Sequence, residues 1–188
     1  ELGPTGVWIN ANDQDPTAYF PDTALGNTVV QNCSFEGDDS LPYYGFSMRF
    51  SIDYDAHYEN CTGGLASFGY GGTVSGTFTN CTGADGSFGN QGTASGTFNH
   101  CTGGDYSFGY DGTASGTFTS CIGGGNSFGG SGDAIGTFIN CTGGDYSFGY
   151  SGDGLGGKYY FCSAGTGSFS GTGGPTISYC LVNGVPYP

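Results

Sequence analysis

Residues 96–115 read GTFNHCTGGDYSFGYDGTAS, and residues 116–135 read GTFTSCIGGGNSFGGSGDAI. The next twenty, from Gly136, read GTFINCTGGDYSFGYSGDGL, and the preceding twenty, from Gly76, read GTFTNCTGADGSFGNQGTAS. The decamer CTGGDYSFGY occurs twice unchanged, at 101–110 and 141–150. Internal repetition at a fixed period outranks every other signal in such a chain. Cysteines give the ruler: Cys61, Cys81, Cys101, Cys121 and Cys141 stand 20 apart, Cys162 follows after 21 and Cys180 after 18. An earlier partial unit runs from Ala56 and a degraded later one from Gly156, making six units in all.

The period limits the fold. Twenty residues are too few for helical repeats or a propeller blade, and no leucine framework marks a leucine-rich repeat. Helix is disfavoured further, because each interior Gly costs about 1 kcal/mol. Short runs of Thr, Phe, Tyr and Asn broken by Gly read as strands and turns. We therefore expect an all-β chain: a parallel β-solenoid with one ~20-residue coil per repeat, neighbouring coils about 4.8 Å apart.

Stacked coils predict columns. Phe78, Phe98, Phe118 and Phe138 form one; Phe68, Phe88, Phe108, Phe128, Phe148 and Phe169 form another. Cys61, Cys81, Cys101, Cys121 and Cys141 make a third, and Val74, Ala94, Ala114 and Ala134 a fourth. All four are expected to point inward, with ring stacking adding to burial. If Phe78 points in, Thr77 and Thr79 point out. Strict alternation would then bury Asn80 rather than Cys81, so a bend is expected at Asn80, a residue type that tolerates left-handed geometry. The segment VVQNCSF (29–35) fits the same scheme with Asn32 at the bend. The Gly positions 72 and 76, and their equivalents in later coils, read as corners that need positive φ or close backbone approach. A weaker ten-residue echo, Thr77-Phe78 then Ser87-Phe88, suggests two similar sides per coil; flattened and triangular cross-sections both remain open.

Composition bounds the function. Gly is 41 of 188 residues, about three times the usual share, and charged residues are only 10%. Phe (15) and Tyr (14) are too abundant for a solvated disordered chain. The net charge is −14, with Arg49 and Lys158 the only basic residues. Nucleic acid is excluded as a partner, because phosphate contacts need Lys and Arg, and an anionic membrane surface is disfavoured for the same reason. No apolar run reaches 18 residues, so no membrane insertion is expected. Abundant Gly, Ser, Thr, Asn and Tyr with one Lys points to an extracellular, cell-surface or virion setting.

At residues 96–150 these Gly-rich tandem units resemble the repetitive β-helix segments of bacteriophage tail fibres and bacterial surface fibre proteins. VVQNCSF resembles the N-C-x-F rung of right-handed parallel β-helices. The resemblance implies a right-handed solenoid and a stiff shaft, often trimeric or polymerised, and no catalytic residue. Residues 1–55 do not repeat and are read as a cap or assembly segment, 56–176 as the solenoid of six coils, and 177–188 as a last strand and tail. A solenoid exposes a ladder edge at each end, so self-association into a homo-oligomer or head-to-tail filament is the expected partnership.

Several residue sets invite sharper readings. Eight cysteines in an extracellular-looking chain suggest disulfides, yet adjacent cysteines in parallel register point the same way, which strains a bridge. Buried thiols are the plainer expectation, with a bridge near Cys162 and Cys180 as the alternative and zinc lacking any CxxC or His partner. Asn32, Asn60, Asn80 and Asn140 lie in N-x-[ST] sequons, although the bend already explains them. Asp85, Asp105 and Asp145 share a column broken by Gly125. They read as solvated turn acids, with Ca²⁺ held at Asp85 and Asp105 as the alternative and no other cofactor expected. Thr77, Thr79, Thr117 and Thr119 belong to a partial T-x-T grid that resembles the threonine arrays of ice-binding solenoids, though Thr is also a good solvent-facing strand residue. Tyr70, Tyr110 and Tyr150 recur at one position and Tyr106 and Tyr146 at another. They read as a strip for cell-surface saccharide or fibre contact, or as cover for Gly-rich turns. The chain is thus expected to be a non-enzymatic structural subunit of an extracellular or virion fibre. An ice- or glycan-binding solenoid is the first alternative, and a polysaccharide-cleaving tailspike the second.

Overall fold

The computed structural model describes residues 29–32, 34–35, 57–65, 67–69, 72–152 and 156–188. Among these there is no helix; parallel strands about 20 residues apart stack into a β-solenoid of about six turns. The longest ladder has eight parallel strands: Val29–Gln31, His57–Glu59, Thr77–Thr79, Thr97–Asn99, Thr117–Thr119, Thr137–Ile139, Lys158–Tyr160 and Thr176–Ser178. Its register follows the sequence ruler, Thr77 facing Thr97, then Thr117, then Thr137. A second ladder stacks Thr73–Val74, Thr93–Ala94, Thr113–Ala114 and Asp133–Ala134. A third begins Ser34–Phe35, Thr62–Gly63, Thr82–Gly83 and continues as single bridges through Thr102, Ile122 and Thr142 to Ser163–Ala164.

The expected columns form the core. Phe78, Phe98, Phe118 and Phe138 are fully buried, and so are Phe88, Phe108, Phe128 and Phe148. Within a column, rings stack nearly parallel at 4.8 Å, as in Phe108–Phe128 and Phe118–Phe138. Between columns they meet edge to face at about 5.7 Å, as in Phe118–Phe128. Every ring therefore has both favourable aromatic geometries at once. Tyr159 takes the Phe place in its coil and satisfies its buried hydroxyl by donating to the Ala134 carbonyl. The cysteine column is equally buried. Cys101, Cys121 and Cys141 each donate S–H to a carbonyl of the coil before, Phe78, Phe98 and Phe118 at 3.3–3.4 Å. Cys81, Cys101, Cys121, Cys141, Cys162 and Cys180 are all unbridged thiols, so no disulfide joins Cys162 to Cys180.

The bend before each cysteine is left-handed. Asn32, Asn60, Asn80 and Asn140 have φ of 53–55°, and His100, Ser120, Phe161 and Tyr179 adopt the same geometry at the equivalent place. The Gly corners serve close approach: a Cβ at Gly112 would lie 2.0 Å from the Gly92 carbonyl oxygen in the coil before.

The ten-residue echo does not mark a second strand. Phe68, Phe88, Phe108, Phe128, Phe148 and Phe169 all have φ between 52° and 57°, so the Ser-Phe pair is a turn that folds its ring inward. The serine turns inward too, giving a buried column of Ser67, Ser87, Ser107, Ser127 and Ser147. Ser127 and Ser147 hydroxyls donate to the Gly104 and Gly124 carbonyls, at 3.3 and 3.2 Å.

The C-terminal end is closed on one side and open on another. Val185–Pro186 pairs antiparallel with Leu181–Val182 and occupies the place of a further coil in the third ladder. Tyr187 packs its ring 5.4 Å from Phe169 and donates its hydroxyl to the Phe169 carbonyl, lidding one aromatic column. The eight-stranded ladder, by contrast, ends on Thr176–Ser178 with no strand beyond it among the described residues.

Candidate functional site

The inward columns are consumed by the core, so a functional surface must lie among outward side chains. Three sets are regular enough to consider. The first is the flat face of the eight-stranded ladder, where Thr77, Thr79, Thr97, Thr117, Thr119 and Thr137 are half-buried or exposed. Asn99 and the exposed Ile139 interrupt it, and His57, Glu59, Lys158 and Tyr160 bound it.

The second set is acidic. Asp85 Oδ1 accepts the N–H of Asp105 at 2.9 Å, Asp105 Oδ1 accepts that of Gly125 at 2.7 Å, and Asp145 Oδ1 that of Thr166 at 2.7 Å. Each carboxylate thus spends one oxygen tying its coil to the next. Among the described residues no three His, Cys, Asp or Glu side chains converge as a metal site requires. The asparagine column is used similarly: Asn60 Nδ2 donates to Asn32 Oδ1 at 3.4 Å, Asn80 Nδ2 to Asn60 Oδ1 at 3.2 Å, and Asn140 Nδ2 to Ser120 Oγ at 3.3 Å. In Asn60, Asn80 and Asn140 the nitrogen a glycan would take is therefore a ladder donor.

The third set is the tyrosines. Tyr106 packs against Tyr110 with ring centroids 4.7 Å apart, and Tyr146 against Tyr150 at 4.6 Å. Tyr106, Tyr146 and Tyr150 are 40–41% exposed. The two pairs occupy the same corner two coils apart, which is twice the 4.8 Å step of the adjoining aromatic column. Asn126 and Gly130 occupy the equivalent positions in the coil between. Tyr70 lies outside the described residues. A further aromatic pair, Phe161 and Tyr179, stacks at 5.1 Å at the C-terminal end and is more exposed still. Its positions read only as bends in the sequence, where Asn, His and Ser precede them in the column; their aromatic character was the available signal.

The sequence places Tyr106 and Tyr146 in one column and Tyr110 and Tyr150 in another; the structure packs the two columns ring against ring. Tyr106 and Tyr146 have φ of 59° and 57°. No protein-family model, curated protein or solved structure matches the chain, and no described helix is long and apolar enough to cross a membrane.

Proposed function

We propose that this chain is the shaft-forming structural subunit of an extracellular or virion fibre, built in the manner of tail-fibre β-helices and without catalytic activity. The observation that supports it is the unbroken core. Two aromatic columns run from Tyr58 to Tyr159 and from Phe68 to Phe169 without a missing ring. A catalytic centre usually breaks such a repeat to bring unlike groups together; here the core positions of the described coils repeat from one to the next. Continuous hydrogen-bond ladders around interlocked rings make a rod that resists bending and proteolysis. Assembly proceeds through the N-terminal segment, of which Val29–Gln31 and Ser34–Phe35 already pair in the ladders, and through the edge at Thr176–Ser178, on which no described strand pairs, since an unpaired edge is a template for another strand. Electron microscopy of concentrated protein, paired with sedimentation velocity, tests this reading. Rods or filaments longer than one solenoid are expected; a monomer at every concentration would overturn it.

The threonine face supports a second reading, ice binding, because Thr77, Thr97, Thr117 and Thr137 stand in strict register on one parallel sheet. Thermal hysteresis with faceted ice growth is its signature, and its absence removes that reading.

A further inference from the structure

The backbone at residues 106 and 146 does not ask for tyrosine. The equivalent residue is Gly86, Asn126 or Gly167 in the other described coils, with Ala66, outside the described residues, in the first; the five described positions are left-handed, with φ between 54° and 75°. Glycine and asparagine adopt that geometry readily, whereas a bulky side chain pays about 1 kcal/mol or more. Tyr106 and Tyr146 offset this by packing on Tyr110 and Tyr150, yet both keep about two-fifths of their surface exposed. Left-handed residues recur throughout this fold, so it is the choice of a large exposed ring at these two positions that points to use.

The geometry of that use is specific. Each strained tyrosine is braced by a second one, Tyr110 or Tyr150, into an aromatic ledge. The Tyr146–Tyr150 ledge leans across the next coil: a Cβ added at Gly167 would lie 2.6 Å from Tyr146 Cδ1 and 3.4 Å from Tyr150 Cδ2. Gly130, without a side chain, holds the place between Tyr110 and Tyr150 in the intervening coil. The result is two similar aromatic steps along the solenoid axis, separated by two coils, with Asn126 beyond the first and Gly167 beyond the second, each with phenol hydroxyls as polar handles. Asp105, Asp111 and Asp145 lie beside them, and the chain carries a net charge of −14. A polyanion would be repelled there.

We propose that these two ledges bind a neutral, extended β-1,4-linked glycan lying parallel to the solenoid axis. Alternate sugars of such a chain recur at close to the two-coil distance. Each presents an apolar C–H face that stacks on an aromatic ring, while its hydroxyls meet the tyrosine hydroxyls and the Asn126 amide. Two weak steps on one rigid support act together, because engaging the first raises the effective concentration of the sugar at the second. The site goes beyond the shaft reading and does not depend on it.

The test is affinity electrophoresis of the full chain in gels containing hydroxyethyl cellulose, with co-sedimentation on insoluble cellulose and chitin. Retardation and pelleting are expected for the unaltered chain. Y106N/Y146N installs the residue already present at 126, so its thermal midpoint should stay level or rise while affinity falls about tenfold or more. Y146N/Y150A, which removes one whole ledge, should lose most of the binding, and Y110A/Y150A should behave like Y106N/Y146N. No binding by the unaltered chain, or undiminished binding by folded variants, overturns the proposal. So does a change in sedimentation coefficient without any change in glycan retention, which would make the ledges a contact between copies. Failure of fibre assembly in the unaltered chain would count against the shaft alone.

Discussion

Ser87 stands directly over Gly83: a Cβ added to that glycine would lie 2.3 Å from the serine Oγ and 2.5 Å from its Cβ. The same relation joins Gly103 to Ser107, Gly123 to Ser127 and Gly143 to Ser147. It explains why Cys-x-Gly recurs in the five coils from Cys61 to Cys141; in the next coil Ala164 takes the glycine place. The glycine leaves room for a turn that brings both the serine and the following phenylalanine into the core.

Gly123→Ala tests this against mere glycine preference. Its Cβ would sit 2.6 Å from Ser127 Cβ and 2.9 Å from Phe128 Cε2, so both side chains must shift. Overpacking of this kind costs roughly 1–3 kcal/mol, occasionally more. Gly125→Ala, two residues on, meets nothing nearer than 3.6 Å and should leave stability within about 0.5 kcal/mol. Thermal unfolding of the two variants separates them, and equal loss in both would refute the packing account.

Ser107 is the odd member of the serine column, because its buried Oγ has no hydrogen-bond partner. Ser147 Oγ, by contrast, donates to the Gly124 carbonyl and accepts from Ser127 N–H. Removing a hydroxyl that leaves nothing unpaired is neutral or favourable, whereas orphaning buried partners costs about 1–3 kcal/mol. Ser107→Ala should therefore match or slightly exceed the parent in urea midpoint, and Ser147→Ala should fall clearly below it.

What the sequence disclosed follows from where each signal lives. The phenylalanine, cysteine and alanine columns were legible because parallel stacking turns a period of 20 into a column, and the bend at Asn80 because alternation otherwise buries the wrong residue. The Ser87-Phe88 turn was not legible. A phenylalanine with positive φ contradicts its own preference, and only the ring stack within the core compensates. The tyrosine positions were readable as columns, but their strain was not. Gly86, Asn126 and Gly167 in the same column as Tyr106 and Tyr146 suit a left-handed site, but Ala66 and the two tyrosines in that column mask the signal.

The thiol column predicts alkaline sensitivity. The neighbouring Cys101 thiol, with burial, holds Cys81 up at about 12, and Cys141 with burial does the same to Cys162, against an ordinary value of 9.0. Burial pushes the Tyr159 phenol in the same direction. The folded chain thus keeps protons that the unfolded chain releases above pH 9. The associated stability is intact below about pH 9 and is lost progressively between 9 and 12. Urea titrations at pH 7, 9 and 10.5 should show falling midpoints, with a shallower fall in Cys81→Ala/Cys162→Ala. A flat profile, or an equal slope in the variant, would count against the column as its origin.

Asp145 should act through the backbone rather than through a cation. Its Oδ1 accepts the Thr166 N–H, a role an asparagine oxygen can also fill. Asp145→Asn should then be mild, and Asp145→Ala should cost about 0.5–1.5 kcal/mol. Calcium and chelator should leave the thermal midpoint of the parent unchanged; a rise with calcium that the Asp85→Asn/Asp105→Asn variant abolishes would reinstate a bound ion.

The bend column offers a gain of stability. Ser120 occupies a left-handed position, φ 53°, that Asn32, Asn60, Asn80 and Asn140 fill elsewhere, and it already accepts Asn140 Nδ2 at 3.3 Å. Asparagine tolerates this geometry better than serine, and its side-chain oxygen would accept the same donor while its own nitrogen reaches toward the coil before. The site is partly exposed, so the larger side chain has room. Ser120→Asn should raise stability by up to about 1 kcal/mol, read as a higher urea midpoint at unchanged slope. Ser120→Val is the counter-test: a β-branched residue at positive φ without an acceptor should lower the midpoint. If asparagine gave no gain while valine was tolerated, neither the left-handed bend nor the amide ladder would be holding the coils together at this corner.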